Sequence, residues 1–518
     1  VAASFSLITQ PWIQIVDREG CHRSVGIAEA ITDAHRISAV VAEAPVIVLA
    51  VRRLLVAVLH AALDGPRDRR QWLAVWNRGE FPKEVIEKYV AGRVDRFDLF
   101  GDRPFFQCPQ LAEDLHKPAH LLRWVQENNS TLFDHATTAR VECLEPAAAA
   151  RWLVAQQAFD VGGIKTAFEG GRDYALAAPL AGSVVVQPTG ATLFETLMLN
   201  LVRVDPDAEV PFPAQGMGTP VWDREPPDPA PLERHPDGYV DWLTWPSRRI
   251  RLLLDDEGLV DRVVLTPGDR PGVGTHQEQT EQFVAFEVDG SKGGNGWKPM
   301  SLRPERAVWR SYADLLRPKG PGATSRRPRV LDWLDDLHKD DNLSETRLVL
   351  EVGGLATERS KIHLWRLERH PVPPRVLAKP DLVEFLNDAL ELADGTRNAL
   401  RSAFNYKYPH GAVPKPGEVE PFGPGIAARV ETAFWASAGT GFDQLISGLE
   451  ADRPGAARLW RDHLRQSALQ AADPYLDGGE SRYLARVSHT ERILFALLKH
   501  HFTAYEDALE ALNGEEGP

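Results

Sequence analysis

The spacing of apolar positions changes along this chain, and each change predicts an element. "SFSLITQPWIQIV" near the start alternates apolar and polar residues, the pattern of a strand with one buried face. "VVAEAPVIVLAVRRLLVAVLHAAL", residues 40–63, is apolar almost throughout and predicts a helix buried on all sides. Glu43, Pro45, Arg52 and Arg53 interrupt it, which argues against a membrane span. Further strands are expected in "GSVVVQP", in "TRLVLEVGG", and in "RRIRLLLDDEGLVDRVVLTPGD", the last a hairpin turning at Asp256 to Gly258. Helices fall between them. Three stretches break the periodicity: the Pro- and Asp-rich segment 204–238, held at Trp222; the basic loop "LRPKGPGATSRRP"; and "HPVPPRV", residues 370–376, a stiff linker. Beyond that linker the period becomes helical. Asp381 is placed to cap a helix carrying Leu382, Leu386, Ala389 and Ala393. A second helix is expected from Ile426 to Leu449, a third carries Ala456, Leu459, Trp460, His463, Leu464, Ser467 and Ala471, and a fourth runs from Leu484 through Leu498 and His501. The expectation is an α+β fold: a large irregular mixed N-terminal domain over residues 1–376, then a C-terminal four-helix bundle over 377–518.

Composition narrows the function. A chain of 518 residues, 43% hydrophobic and 25% charged, has material for more than one core. Its formal charge of −14 repels phosphate at long range and argues against an autonomous nonspecific nucleic-acid binder, though not against a local basic groove. Cys21, Cys108 and Cys143 lie far apart without a C-x-x-C pair, so neither a disulfide framework nor a cysteine zinc site is expected. The opening residues lack a basic stretch followed by an apolar run, and the expected compartment is the cytoplasm. That removes the context for the sequon at Asn128.

Catalytic spacings are absent from the sequence: no G-x-S-x-G, H-E-x-x-H or EF-hand loop occurs, and no cofactor is implied. "VGGIKTAF", residues 161–168, has Ile164 where a phosphate loop needs glycine. Asp134 and His135 are adjacent, and neighbours on an extended chain point apart. Asp332, Asp335, Asp336, Asp340 and Asp341 could hold magnesium, but a charge run of this kind is more simply a solvated helix face. Gly162 and Gly163 permit close backbone approach to another molecule, with Lys165 and Arg172 following to meet phosphates; a plain glycine turn explains them as well.

An ordered series of motifs goes further. "FSLITQPWIQIV", "DAHRI", "RRLLVAVLHAAL", "RFDLFGDRPFFQ", "TLFDH", "GATLFETLMLNLV", "PVWDREPP" and "DWLTWPSRRIRL" together resemble the CasA family, large subunits of the type I-E CRISPR surveillance complex Cascade, and cover most of residues 5–252 in order. The resemblance implies a non-catalytic subunit that docks at the crRNA 5′ handle and reads the short protospacer-adjacent motif (PAM) in double-stranded DNA. It also implies that the subunit helps open the duplex and supports a recruited helicase-nuclease. Its partners would be other Cascade subunits, crRNA and DNA, with no membrane and no metal. Carried over by position, Phe133 matches the aromatic opening the family's docking loop, followed by Asp134 and His135. Gly162 and Gly163 match its glycine loop, flanked by Ala158, Asp160, Val161 and Lys165. The strand-separating wedge falls in "EVGGLATERSK", where Glu358 and Arg359 replace the family's amide side chains, and the lysine finger falls among Arg270, Lys292 and Lys298. Two other classes stay open: a hydrolase using Asp134, His135 and the Asp332–Asp341 cluster, and a scaffold that only bridges proteins.

Overall fold

The computed structural model describes residues 4–111, 121, 143–203, 217–275, 277–290, 296–318, 324–338, 348–358, 361–373, 376–377, 379–406, 419–476 and 484–515. It is mixed in class and divides into two compact units: residues 1–308 with 319–369, and residues 309–318 with 370–518.

The first unit is organised around the helix Pro45–Leu63, in which every residue from Val46 to His60 is buried. By length and apolarity this helix could cross a membrane, yet here it forms the core of the unit. It packs against the helix Pro146–Phe159 and the short helix Tyr239–Leu243. Two arginines would make such burial prohibitive without partners. Arg52 pairs with Glu351, while Arg53 pairs with Glu281 at 2.7 Å and donates to the carbonyl of Trp242 at 2.9 Å. Glu281 also accepts the Trp242 indole N–H at 2.9 Å.

Strands surround this core in small sheets. Ile13–Asp17 lies between His22–Val25 and Ile37–Val40, all antiparallel. The alternation from Ser4 predicted a longer strand; residues before Ile13 instead form turns, with Leu7 and Trp12 buried and the Trp12 indole bonded to the Leu7 carbonyl at 2.9 Å. Val185–Thr189 pairs antiparallel with Val349–Glu358, which pairs in turn with Lys361–Pro371. Arg248–Leu254 and Val260–Pro267 form the predicted hairpin. Its turn closes through Asp255, whose carboxylate accepts the Glu257 and Leu259 amides at 2.9 Å, with Gly258 at φ +81°. Trp222 anchors its segment as expected, buried in a 3-10 turn with its indole on the Tyr89 hydroxyl at 2.8 Å.

The second unit contains four long helices, Pro380–Phe404, Pro424–Ala438, Arg453–Leu476 and Leu484–Glu515, packed as a bundle. The Trp460 indole bonds the Ala389 carbonyl at 2.8 Å, joining the first and third. Three local expectations change. Lys379, not Asp381, holds the N-cap position, because Pro380 occupies the first helical turn; Asp381 instead pairs with Arg453 at 2.9 Å. Helix 426–449 is interrupted at Gly439–Gly441, where a Cβ on Gly441 would lie 2.5 Å from the His463 ring. Leu459, placed on the apolar face by its spacing, is 54% exposed. Residues 309–318 join this unit through Trp309, whose ring meets Trp435, Phe442 and Trp460 at 5.3 to 6.0 Å.

Candidate nucleic-acid interface around the glycine loop

The helix Pro146–Phe159 stops at Asp160, which adopts extended backbone angles. Its carboxylate is buried and shared by two cations: Arg248 donates through Nε, and Lys165 Nζ lies 3.0 Å away. The chain then passes Val161 and Gly162 into a two-stranded hairpin, Gly163–Thr166 against Arg172–Ala175. Gly163 takes φ +143°, a conformation in which a side chain is strained. Gly162 is required for a different reason: a Cβ there would stand 2.9 Å from the Ala177 amide nitrogen and 3.2 Å from the Ala175 carbonyl oxygen. Both glycines are thus needed by the chain itself.

Strand alternation sorts the hairpin's side chains onto two faces. Lys165 turns inward to Asp160 and is only 17% exposed. Ile164 and Tyr174 are cross-strand partners on the opposite face, 69% and 56% exposed. Arg172 is exposed as well. Arg270 crosses to this hairpin, donating to the Asp173 carboxylate at 2.6 Å and the Tyr174 carbonyl at 2.9 Å. The hairpin's inner side packs on the strand Val260–Pro267.

Beneath it lies a polar frame that the sequence did not announce. The Arg248 guanidinium is buried and donates to the carbonyls of Val161 at 3.1 Å, Leu176 at 2.8 Å and Ser247 at 2.6 Å, besides the Asp160 carboxylate. Its own main chain is gripped by Gln157, which accepts the Arg248 amide at 2.9 Å and donates to the Arg248 carbonyl at 3.0 Å. Farther along, the amides of Ala178 and Leu180 bond the carbonyls of Asp160 and Ala158, at 2.8 and 2.9 Å. The strand Val349–Glu358 passes over the next two residues, since a Cβ on Gly182 would be 3.0 Å from Thr357 Oγ1 and one on Gly354 would be 2.4 Å from the Ser183 carbonyl oxygen.

The residues expected to act together separate into groups. Ala158, Asp160, Val161, Gly162, Gly163 and Lys165 are contiguous here, but Ala158 and Asp160 are buried and Lys165 is engaged internally, so none of these three side chains faces outward as first expected. Of the finger candidates, Arg270 stands at the hairpin, whereas Lys298 pairs with Glu287 at 3.2 Å on another sheet and Lys292 lies outside the described residues. Phe133, Asp134, His135 and Arg359 also lie outside them; Glu358 ends its strand. In the acidic run, Asp332 and Asp335 both grip Arg327, at 2.6 and 2.8 Å. Among the described residues no group of three His, Cys, Asp or Glu side chains is arranged to hold a metal ion.

Residues 6–471 match the family model of the CRISPR-associated protein Cse1. The CasA/Cse1 protein of Thermus thermophilus is 31% identical over 512 residues, covering 95% of this chain and 97% of that one. The crystal structure of Thermus thermophilus CasA superposes with a TM-score of 0.79 at 28% identity, over 96% of this chain and all of that one. A chain of a CRISPR RNA-guided surveillance complex shares the fold with a TM-score of 0.72 at 20% identity, over 95% of this chain and 99% of that one. A match over most of the length, in family model and relative alike, makes the assignment: the chain belongs to the Cse1 (CasA) family of CRISPR-associated proteins.

Proposed function

We propose that this chain is the non-catalytic large subunit of a type I-E Cascade, and that it recognises the PAM in double-stranded DNA through the hairpin Gly163–Ala175. The observation that carries the reading is the outward face of that hairpin. Ile164 and Tyr174 stand exposed beside Arg172, while Lys165, Asp173 and Arg270 on the other face are held in ion pairs. Apolar and aromatic groups next to a glycine backbone suit the base edges of a duplex minor groove, and Arg172 supplies a phosphate contact that fixes register. A chain with net charge −14 needs such a local site, because its overall field opposes DNA. Target sequence is delegated to guide pairing, so no nucleophile or metal is called for.

In this reading Phe133 and the residues after it dock the subunit at the crRNA 5′ handle, alongside other Cascade subunits. The tip between Glu358 and Lys361 opens the duplex, and the assembled complex supports the recruited helicase-nuclease. The test is reconstitution. Adding the chain to a Cascade lacking its large subunit restores binding to a PAM-bearing duplex over one without a PAM; no restoration sinks the proposal. Phe133→Ala weakens assembly or target binding with the fold intact, and unchanged affinity removes that residue from the site. A pure scaffold would keep PAM discrimination when Ile164 and Tyr174 are replaced by Asp and Ala; a reader loses it.

A further inference from the structure

One buried side chain bonds both arms of the loop from behind. We infer that Arg248 is a positioning residue for PAM discrimination: its buried guanidinium sets the glycine loop against the outgoing strand. The inference rests on the reading proposed above. Arg248 spans both arms of the loop, because Nη2 donates to Val161 on the incoming arm and to Leu176 on the outgoing arm, while Nε holds the Asp160 carboxylate where the helix ends. A planar guanidinium can reach such divergent acceptors at once; an ammonium, a point donor on a flexible stem, cannot. Gln157 holds the Arg248 backbone through both its amide and its carbonyl, so the clamp is anchored to the helix that carries the loop. A Cβ on Gly162 would lie 2.9 to 3.4 Å from backbone atoms of residues 175–177, so the two arms run close together here. Base-edge readout depends on such placement, and a loop free to shift loses the difference between right and wrong bases before it loses binding altogether.

The experiment uses the complete Cascade carrying Arg248→Lys, which keeps a cation beside Asp160 but drops the carbonyl contacts. A second version carries Arg248→Met with Asp160→Asn, which leaves no buried carboxylate without its guanidinium. Three quantities are measured: incorporation of the subunit, affinity for single-stranded DNA complementary to the guide, and the affinity ratio between duplexes with and without a PAM. Expected is a ratio lowered roughly tenfold, within the range of a base-pair mismatch, while incorporation and single-strand affinity stay at wild-type level. Arg151→Lys is the control for stability. Arg151 is also buried, pairing with Glu43 at 3.0 Å from within the same helix Pro146–Phe159, and its replacement leaves the ratio unchanged. An unchanged ratio in both Arg248 versions overturns the inference. So does failure of both to incorporate, which would assign Arg248 to the fold alone. Arg172→Ala and Tyr174→Ala separate this failure from that of the underlying reading: if they too leave the ratio unchanged, the hairpin is not the reader.

Discussion

Gly162 and Gly163 invite the inference that they lack side chains so that DNA can come close, and replacing each with alanine in the free subunit tests whether that is the reason. For Gly162 the added Cβ meets backbone, not a side chain that could swing away: the Ala177 nitrogen at 2.9 Å and the Ala175 carbonyl oxygen at 3.2 Å. Overpacking against rigid atoms costs about 1–3 kcal/mol. For Gly163 the cost is torsional, since φ +143° lies where only glycine is at ease, and strain of this kind is also about 1–3 kcal/mol. Gly170, at φ +85° with nothing within 4 Å of its missing Cβ, reports strain at an open site. A two-stranded hairpin is too small a part of 518 residues for these costs to dominate global melting. They appear in local opening. Hydrogen exchange of the hairpin amides should quicken roughly 5- to 150-fold in Gly162→Ala without any DNA present, because each 1.4 kcal/mol is about tenfold. Wild-type exchange in the free Gly162→Ala subunit, joined to lost PAM discrimination in Cascade, would refute the intrachain explanation and return the glycine to the DNA.

Other consequences are simpler. Arg53→Met strands the buried Glu281 carboxylate and should cost about 3–5 kcal/mol in urea unfolding; adding Glu281→Gln recovers most of it, and no recovery means that the lost cation's contacts to Trp242 and Leu243 dominate. Burial lowers His60 from 6.5 to about 4, so the folded chain binds fewer protons than the unfolded one between those values. Its contribution is complete above about pH 6.5 and is lost as pH falls towards 4, by up to roughly 3 kcal/mol, and His60→Gln flattens that part of the pH–stability curve. In a Cascade with Arg172→Ala, the slope of log affinity against log salt for PAM duplex should shrink by about 0.9, the share of one phosphate. An unchanged slope would mean that Arg172 meets no phosphate.

Strong periodicity explains what was legible in the sequence. The core helix, the hairpin at Asp255–Gly258 and the bundle helices each carry a pattern longer than any competing signal. What escaped depends on distance along the chain. Trp309 completes an aromatic cluster with residues more than a hundred positions away, and nothing local marks residues 309–318 as part of the helical unit. Gly439 and Gly441 break a helix because of Trp309 and His463, neighbours that a sequence window does not contain. Arg248 and Arg249 open an expected strand with no local sign of their partners, and both are buried; Arg249 pairs with Asp269.

The same limit explains the misplaced emphasis on Lys165. A lysine two residues past a double glycine reads as a phosphate contact while the segment is taken for a loop. Once Gly163–Thr166 is a strand, period two decides the matter: Ile164 and Lys165 must face opposite ways. The buried carboxylate of Asp160 selects which way, because leaving it short of cations would cost far more than exposing one isoleucine. The outward face then carries Ile164 and Tyr174, with Arg172 its exposed cation, while Arg270 is held by Asp173. A glycine-lysine pattern that looked like a ligand site is thus mostly internal architecture. The residues with nothing left to do inside the fold, Ile164, Tyr174 and Arg172, are where recognition has to be sought.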